Sequence, residues 1–394
     1  MLEFISVTQV KSLLQNSSIP RKSEQVPLSE ALGRITYSPV IAPIPVPLFD
    51  NSGMDGYAIC FADAGDSRKV VHMVQAGASP SIEWEKGTAV RIFTGAPVPK
   101  GADTVIQQEW VTLVGDQIFF DLEKITLGMH VRKAGAQCHV GEEVIPENTL
   151  LTPGSIGLLA SLGITTVEVI AKPKVGLILT GDEIVESGTE LLPGQIFNSN
   201  GPAIQTYLTQ LGLDLPTIWK VKDQKDEVVR VIREALNEVD VLLLTGGISV
   251  GDFDFVKPAL EENGVDPVFY KVKQRPGKPL LVGSKGPQIV FALPGNPASV
   301  LSCFIQYVKP VLLTWMGDQG AWTRKIEVPL AETFTKKVPL TFFLKAKLEN
   351  GKVHILPGQE SFNLLPFGIA DGLVEIPEEL EAIDKGSLVI FYPW

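Results

Sequence analysis

The spacing of apolar and polar residues predicts a helix at the start of the chain and an extended segment after it. Val7, Val10 and Leu14 recur at the spacing of one helix face. Residues 39–47 then contain four prolines, which favour extended backbone and lack the N–H that a helix needs. The first helix must therefore end before this proline-rich segment.

Two segments, one before and one after the central part of the chain, have the residue pattern of β-strands. Between about residues 56 and 138, short β-like runs are separated by Gly, Pro and Asp, which is typical of a small all-β domain. Helical spacing returns in "SIGLLASLG", within residues 139–171. Residues 321–394 lose the helices again, and Asn350-Gly351 between two strand-like runs predicts a β-hairpin there.

Strands and helices alternate between about residues 172 and 320. Asp223 suits the N-cap of one of these helices, and Pro297 suits the first turn of another that ends near Met316. Apolar strands that alternate with helices indicate a parallel sheet covered on both faces, and hence an α/β domain. The four predicted strands are 174–180, 217–221, 240–247 and 288–295.

The composition narrows the class of protein. With 394 residues, of which 45% are apolar and 20% charged, the chain is expected to form several globular domains. The net charge of −11 argues against a nucleic-acid partner, which would need a basic surface. Three widely spaced cysteines form no CxxC motif, so neither a disulfide framework nor a zinc site is expected.

The cytoplasm is the location that the sequence favours. The first residues include Glu3 and show no basic region followed by an unbroken apolar run, so they do not resemble a signal peptide. No stretch reaches the roughly 18 consecutive apolar residues that a membrane span needs. We therefore expect a soluble protein of a reducing compartment, without a membrane partner.

Three predicted strands end in unusual sequence. These ends are "LTGDE" at 179–183, "LTGGISVGDFD" at 244–254 and "LPGNPAS" at 293–299. Ligands of an open parallel sheet bind at the carboxyl ends of its strands. We therefore expect the three ends to lie on one edge of the sheet and to form one site.

The second strand end has the composition of an anion-binding loop. Gly246, Gly247 and Gly251 allow the backbone to approach a ligand closely, and the N–H groups that follow, with the Ser249 hydroxyl, could hold an anion. The alternative is that residues 246–251 form only a tight turn.

Carboxylates beside an anion-binding loop would repel the ligand unless a divalent cation lies between them. Oxygen ligands of this kind suit Mg²⁺ that also holds phosphate oxygens. The alternative is that Asp252 or Asp254 only caps the next helix. The carboxylates are Asp182, Glu183, Asp252 and Asp254.

A short loop between two prolines adds positive charge. In "QRPGKP", residues 274–279, Arg275 and Lys278 could bind a phosphate or another oxyanion. The alternative is a solvated pair of surface cations.

Seven stretches together resemble one family in order and spacing. The resemblance is to the molybdopterin molybdenumtransferases, the bacterial MoeA proteins related to the E domain of gephyrin. It extends from about residue 5 to the end of the chain and is weakest after residue 320. The stretches are "NSGMDGYA", "FTGAPVPKGADTVIQQE", "TGDEI", "GQIFNSN", "TGGISVGDFD", "RPGKP" and "LPGNPAS".

The resemblance implies a multidomain chain of α/β and β parts. Its centre, residues 172–320, would be a parallel α/β three-layer domain that is similar to the MogA protein and binds molybdopterin. Residues 1–42 and 139–171 would form an extended, N-terminal helical domain for dimerisation. Residues 43–138 would be an inserted β-domain, and residues 321–394 a C-terminal β-barrel.

The resemblance also implies an enzyme of molybdenum cofactor biosynthesis. The expected reaction inserts molybdate into adenylylated molybdopterin with Mg²⁺ present, and releases molybdenum cofactor and AMP. The expected partners are a second copy of the chain in a homodimer, a molybdopterin adenylyltransferase that supplies the substrate, and molybdoenzymes that receive the product.

Residue roles follow from the positions that match the family motifs. The functional Asp of the MDG motif falls on Asp55, and the Thr of the FTGA motif on Thr94, although Thr94 also suits a simple turn. The other acidic positions expected in catalysis are Glu183, Asp223 and Asp254, and the metal positions are Asp182, Glu183 and Asp254. The remaining ligand-binding positions are Gly246, Gly247, Ser249, Gly251, Arg275, Lys278, Pro294, Asn296, Pro297 and Ser361.

The chain departs from the family pattern at three places. Many relatives carry an acidic pair where this chain has Ala136 and Gln137, and the neutral amide of Gln137 cannot balance a cation. Arg275 stands where some relatives have Lys, which keeps the charge. The usual Arg of the C-terminal domain is missing, and Lys345 is the candidate substitute.

Two other functions are compatible with parts of the sequence. A Mg²⁺-dependent nucleotidyltransferase or phosphatase would explain the α/β domain, but not the MDG and FTGA motifs. A scaffold that docks a membrane receptor, as the gephyrin E domain does, would need no catalysis. The sequence shows no low-complexity segment of the kind that would favour a scaffold.

Overall fold

The computed structural model of the chain describes residues 1–63, 65–79, 83–248 and 255–394. The chain divides into two compact units. Residues 1–22 and 170–394 form the first unit, and residues 23–169 form the second.

The centre of the first unit is a seven-stranded sheet. Four of its strands are parallel neighbours with continuous registers, so that Leu177 pairs with Leu243 and Leu243 with Phe291. The α/β prediction is therefore confirmed for this part of the chain. The strands follow one another across the sheet in the order Leu2–Ile5, Asp266–Val272, Leu281–Lys285, Gln288–Leu293, Val241–Thr245, Val175–Thr180 and Thr217–Val221.

The sheet is mixed and not wholly parallel, which corrects the expectation. Leu281–Lys285 pairs antiparallel with both of its neighbours, Asp266–Val272 and Gln288–Leu293. The reason is local, because Gly286 with φ of +56° closes a tight hairpin between two of these strands. A hairpin can only join antiparallel strands, whereas parallel neighbours need a longer crossover.

Helices cover both faces of this sheet. Alternate residues point to opposite faces, so that Leu177 and Leu179 pack in one core and Ile178 in the other. The predicted helices are confirmed, and the last one contains a π-helical segment. The helices are Val7–Gln15, Asn200–Gln210, Lys225–Leu236, Val256–Glu262, Pro297–Cys303, the π segment Phe304–Val308, and Lys309–Trp315.

The N-terminal residues 1–22 belong to the first unit, and the predicted grouping of residues 1–42 with 139–171 stays a prediction. The sequence did not predict the strand Leu2–Ile5, which pairs in parallel with Asp266–Val272. Val7, Val10 and Leu14 of the following helix then pack into the core that covers one face of the sheet. Residues 1–22 are held there by main-chain pairing and apolar packing. The other predicted domain boundaries stay predictions.

The last part of the first unit is a second sheet. The predicted hairpin is confirmed, since Asn350 and Gly351 both have positive φ between Thr341–Glu349 and Lys352–Ile355. A bridge between Leu330 and Val353 links the residue after the strand Ile326–Pro329 to the strand Lys352–Ile355. The strands of this sheet run in the order Gln274–Arg275, Thr341–Glu349, Gly372–Ile376, Leu388–Pro393 and Ile326–Pro329, with Lys352–Ile355 paired to the second. Two short pairs, Ile184–Val185 with Ile196–Phe197 and Phe334–Thr335 with Ala382–Ile383, and the 3-10 turn Leu365–Gly368 complete the unit.

The second unit is mainly β, as its sequence pattern predicts. A six-stranded sheet forms most of it, in the order Thr104–Gln107, Gly56–Ile59, Ala89–Ile92, Ser67–Val74, Gln117–Phe120 and Val111–Val114. Three two-stranded sheets pair Asn51–Ser52 with Val131–Arg132, Val40–Ile41 with Glu143–Ile145, and Ser23–Pro27 with Thr166–Ile170. The helical elements are Pro153–Ser161 and the 3-10 turns Leu28–Glu30, Gln108–Trp110 and Leu122–Lys124.

One helical stretch in the described part of the chain, Pro297–Trp315, is long and apolar enough to cross a membrane by length and composition alone. However, 83% of its most apolar segment is buried inside the protein, which is typical of a core helix. All three cysteines are free thiols, as the sequence predicts.

The N-terminal helix should contribute directly to the stability of the first unit. Val10 is fully buried, so Val10→Ala removes packed methyl groups and should lower the free energy of unfolding by about 2 kcal/mol. Val338→Ala is the matched control, because Val338 is 41% exposed in the same unit. Urea unfolding followed by far-UV circular dichroism measures both variants. Equal stability of the two would contradict the packing of the N-terminal segment on this sheet.

Candidate functional site

A cavity of about 840 Å³ lies in the first unit at the carboxyl ends of the parallel strands. The predicted convergence of the three strand ends is confirmed, because all three line this cavity. The wall comprises residues 179–181, 183–184, 196–200, 245–248, 274–279, 294–297, 299, 340 and 360–362, together with Asp223.

Hydrogen bonds join the three strand ends. The Thr180 hydroxyl donates to the Thr245 carbonyl at 3.2 Å, and the Gly246 N–H donates to the Leu293 carbonyl at 3.3 Å. The Asn200 side chain donates to the Gly295 carbonyl at 3.0 Å, which ties the helix Asn200–Gln210 to the third end. The shape of the cavity therefore follows from contacts between neighbouring strands.

Glycine is required at the second strand end for a reason that the sequence did not reveal. Gly246 has φ of +91°, and a Cβ there would lie 2.6 Å from the Thr180 hydroxyl oxygen. Gly247 has φ of +62°, and a Cβ there would lie 2.9 Å from a methyl carbon of Val256. The close approach is thus to protein atoms behind the loop. Both glycines still line the cavity, so their backbone remains accessible to a ligand.

Part of the predicted anion and metal site lies outside the described residues. This applies to Ser249, Gly251, Asp252 and Asp254, whose roles stay predictions from the sequence. The described neighbours on either side are Ile248, which lines the cavity, and Phe255.

Arg275 and Lys278 both line the cavity. Among the described residues neither of them forms an ion pair, so their charges are available to a bound anion. The Arg275 guanidinium lies 5.6 Å from the centre of the Phe342 ring, which supports its position by a cation–π contact. Both residues are also exposed, so their role in anion binding stays a prediction.

Buried polar groups hold the cationic loop in place from behind. The Gln274 amide, which is 1% exposed, donates to the carbonyls of Pro276 and Gly277, each at 3.1 Å. It also contacts the Cys303 thiol and accepts a hydrogen bond from the Tyr307 hydroxyl. Burial raises the pKa of Cys303 to about 12, so this thiol stays protonated at neutral pH and serves the structure. The sequence analysis did not identify this support, because its members lie far apart in the chain.

Three carboxylates of the described residues line the cavity, namely Glu183, Asp223 and Glu360. Asp182 is exposed and is not part of the wall, although it precedes Glu183 directly. Among the described residues no group of three metal-ligating side chains is close enough to hold an ion. The oxygen donors present fit Mg²⁺ by their chemistry, and they do not form a complete site by themselves.

Asp223 is not the helix cap that its sequence position suggested. The helix begins at Lys225 with Gln224 as the N-cap, and the Gln224 side chain makes no capping hydrogen bond. Asp223 lies one residue earlier and faces the cavity. Its placement favours a role in the site over a role in the helix.

Glu360 is a wall residue that the sequence analysis missed. Hydrogen bonds from its own backbone N–H and from the Asn363 side chain hold the pKa of Glu360 below its ordinary value, and the charges of Lys345 and Arg275 act in the same direction. Glu360 therefore remains ionised beside the cationic loop.

The third strand end and Ser361 meet in the structure. Pro297 is the first residue of the helix that follows, as predicted, and Asn296 is its N-cap. The Asn296 side chain donates to the Ser361 hydroxyl at 3.0 Å, and the Ala298 N–H donates to the Ser361 carbonyl at 3.1 Å. Pro294 also lines the cavity. The structure thus brings Ser361 from the C-terminal part of the chain to the end of the central sheet.

Lys345 does not line the cavity but organises the loop that carries Ser361. The side chain is 1% exposed, and its ammonium group donates to the carbonyls of Gly358, Glu360 and Asn363 at 3.0, 3.4 and 3.4 Å. Burial lowers the pKa of Lys345, and the charge of Glu360 partly offsets this effect. As a substitute for the family's Arg, Lys345 would therefore act on the loop and would not contact a ligand itself.

Asp55 and Thr94 lie in the second unit and form a pair of their own. The Thr94 N–H and hydroxyl both donate to the same Asp55 carboxylate oxygen, at 2.7 and 2.8 Å. These two bonds, the backbone bond above all, lower the pKa of Asp55. Gln137, at the position of a family carboxylate, is exposed in the same unit, and its N–H donates to the Val46 carbonyl at 2.8 Å.

The comparisons with known proteins agree with this architecture. The chain matches the MoeA N-terminal region (domain I and II) at residues 5–163, the probable molybdopterin binding domain at residues 176–314, and the MoeA C-terminal region (domain IV) at residues 327–394.

Individual relatives match over most of their length. The molybdopterin molybdenumtransferase of Haemophilus influenzae is 37% identical to this chain, and the match covers 81% of this chain and 80% of the relative. The molybdopterin molybdenumtransferase of Bacillus subtilis is 31% identical, and the match covers 93% of this chain and 89% of the relative. The molybdopterin biosynthesis MoeA protein from Pyrococcus horikoshii has a similar crystal structure, with a TM-score of 0.85 and 34% identity over 99% of each chain.

These matches define a chain with the domains of a molybdopterin biosynthesis protein. The chain belongs to the MoeA family of molybdopterin molybdenumtransferases. The family resemblance read from the motifs is confirmed, and with it the class of enzyme, a molybdenumtransferase.

Replacement of Lys345 should loosen the loop that carries Ser361. Lys345→Met leaves three carbonyls without their shared donor and should lower the free energy of unfolding by about 3 kcal/mol. The control is Lys347→Met, two residues on in the same strand, which loses only an exposed pair with Glu349 and should cost at most about 1 kcal/mol. Urea unfolding and amide hydrogen exchange of residues 358–363 measure the effect. Unchanged exchange in Lys345→Met would contradict the assignment.

The pKa of Asp55 should depend on the Thr94 side chain. Thr94→Val removes the hydroxyl donor and keeps the backbone donor, so the pKa of Asp55 should rise but remain below its ordinary value. Carboxyl ¹³C NMR titration measures this shift. Thr94→Ser keeps the hydroxyl and should leave the pKa unchanged, and an equal rise in both variants would show that the hydroxyl bond has no effect.

Proposed function

We propose that this protein inserts molybdate into adenylylated molybdopterin and releases AMP and molybdenum cofactor. The observation that carries the proposal is the cavity of about 840 Å³, in which three strand ends, a cationic loop and Ser361 come together. Its volume lies within the range of about 300–1,000 Å³ that small-molecule sites usually have. The names of the relatives state the same transferase class.

The charges in the wall suit a substrate with several anionic groups. Arg275 and Lys278 would hold molybdate, since Arg can bind an oxyanion through two parallel hydrogen bonds. The Ser361 hydroxyl, held by Asn296, would contribute a further hydrogen bond. The phosphoanhydride of the substrate would lie over the backbone of Gly246 and Gly247 at the second strand end.

The carboxylates would act beside this anion-binding surface. Glu183 and Asp223, with Asp254 from the sequence prediction, would orient the reacting groups and hold Mg²⁺. When bound, Mg²⁺ would act as a Lewis acid that stabilises the negative charge developing as the phosphoanhydride breaks. Asp55 and Thr94 are proposed as functional residues of the second unit, on the family motifs alone.

The proposal includes assembly and location. We propose a cytoplasmic homodimer that receives its substrate from a molybdopterin adenylyltransferase and passes its product to molybdoenzymes. The family membership supports these points.

A single assay separates the proposal from its alternatives. The purified protein is incubated with adenylylated molybdopterin and Mg²⁺, with and without molybdate, and AMP is measured by chromatography. Release of AMP that requires molybdate is the expected result. Release without molybdate would indicate a hydrolase, and no release in either mixture would indicate a binding scaffold.

Loss of the Glu183 charge should lower turnover without unfolding the protein. Glu183→Gln keeps the size of the side chain and should reduce the rate of AMP release at least about 100-fold. The matched control is Glu190→Gln, an exposed residue outside the cavity wall, which should turn over like the wild type. A rate for Glu183→Gln within about twofold of the control would contradict the role of this carboxylate.

A further inference from the structure

A second, smaller cavity lies in the first unit apart from the candidate site. Its volume is about 110 Å³. The N-terminal helix contributes Lys11, the helical stretch Pro297–Trp315 contributes Gln306 and Lys309, and the segment that follows contributes Arg324 and Lys325. None of these residues belongs to the wall of the larger cavity.

The wall of this cavity carries more positive than negative charge. The Lys11 ammonium pairs with Glu375 at 3.0 Å, and Arg324 pairs with Asp318. Among the described residues, Lys309 and Lys325 form no ion pair. The wall thus carries four cations, of which two are paired with carboxylates outside the wall and two are not balanced by an ion pair.

One residue of the cavity wall has a polar side chain that lacks a partner. Gln306 is 2% exposed, and neither its amide nitrogen nor its amide oxygen has a hydrogen-bond partner within the described part of the chain. Such groups are rare in folded proteins, because buried polar atoms nearly always have a partner. Gln306 lies in the π-helical segment Phe304–Val308, and π segments within α-helices occur often at functional sites.

The positive charges in the wall act on one another. Burial lowers the pKa of Lys309, and the nearby charge of Arg324 lowers it further. Burial also lowers the pKa of Lys11, the pair with Glu375 opposes this effect, and Lys325 adds to it. A bound anion would relieve this repulsion between like charges.

We propose that this cavity is a binding site for a tetrahedral oxyanion with two negative charges, such as sulfate, phosphate or molybdate. Lys309 and Lys325 supply the charge, and the Gln306 amide donates a hydrogen bond from the wall. A volume of about 110 Å³ fits such an ion and excludes a nucleotide or a pterin. The site is distinct from the larger cavity, and its existence does not depend on the reaction proposed there.

Isothermal titration calorimetry with sulfate at constant ionic strength tests the proposal in solution. An Arg275→Gln background weakens anion binding in the larger cavity, so that the remaining heat reports on the second site. In this background Lys309→Gln and Lys325→Gln should each weaken sulfate binding about tenfold, because each removes a charged donor. Lys352→Gln, an exposed residue of a C-terminal strand, makes the same charge change and should have no effect. Absence of saturable binding, or equal affinity in all variants, would overturn the proposal.

The position of the ion is tested by crystals soaked in selenate, whose selenium gives an anomalous signal. A peak within hydrogen-bonding distance of the Gln306 amide nitrogen is expected, and Gln306→Leu should abolish it while the fold stays intact. Peaks only beside Arg275, or no peak in either cavity, would overturn the proposal. Parallel titrations with phosphate and molybdate then rank the oxyanions that the site accepts.

Discussion

The close contact between neighbouring strand ends is the constraint on which the candidate site depends. Thr180 donates its hydroxyl hydrogen to the Thr245 carbonyl, and the chain must then turn past this side chain with positive φ at two successive residues. Only glycine can do so here, because a Cβ on Gly246 would overlap the Thr180 oxygen. The turn at Gly246 and Gly247 therefore places the second strand end directly beside the first and the third.

Buried polar groups then hold the parts of the wall that come from elsewhere in the chain. Gln274, supported by Tyr307 and Cys303, fixes the loop of Arg275 and Lys278 from the inside. Lys345 binds three carbonyls of the loop that carries Ser361. In both networks the buried side chain donates all of its hydrogen bonds to groups of the loop or its support. Such networks favour one conformation, because any displacement leaves a buried polar group without a partner. The ligand-facing cations and hydroxyl can therefore remain accessible while their loops stay in place.

Positive and negative groups are arranged differently in the two cavities of the first unit. In the larger one, Arg275 and Lys278 share a wall with Glu183, Asp223 and Glu360, which suits a substrate that carries phosphate and requires a divalent cation. The smaller one is lined by four cations, two of which are paired with carboxylates outside its wall. The first unit thus contains one large cavity whose wall carries both positive and negative charges, and one small cationic cavity that is formed by other residues.

The sequence by itself determined the alternation of strands and helices, the hairpin at Asn350-Gly351, the strand ends that form the site and the family of the protein. These features depend on local patterns of apolar residues, glycine and proline, which act over a few positions of the chain. Only the tertiary structure decided that Leu2–Ile5 joins the central sheet, that Leu281–Lys285 runs antiparallel, that Asp223 faces the cavity, and that Gln274 and Lys345 hold the loops around it. Most of these features depend on contacts between different segments of the chain or on the competition between burial and hydrogen bonding, and neither leaves a local pattern in the sequence.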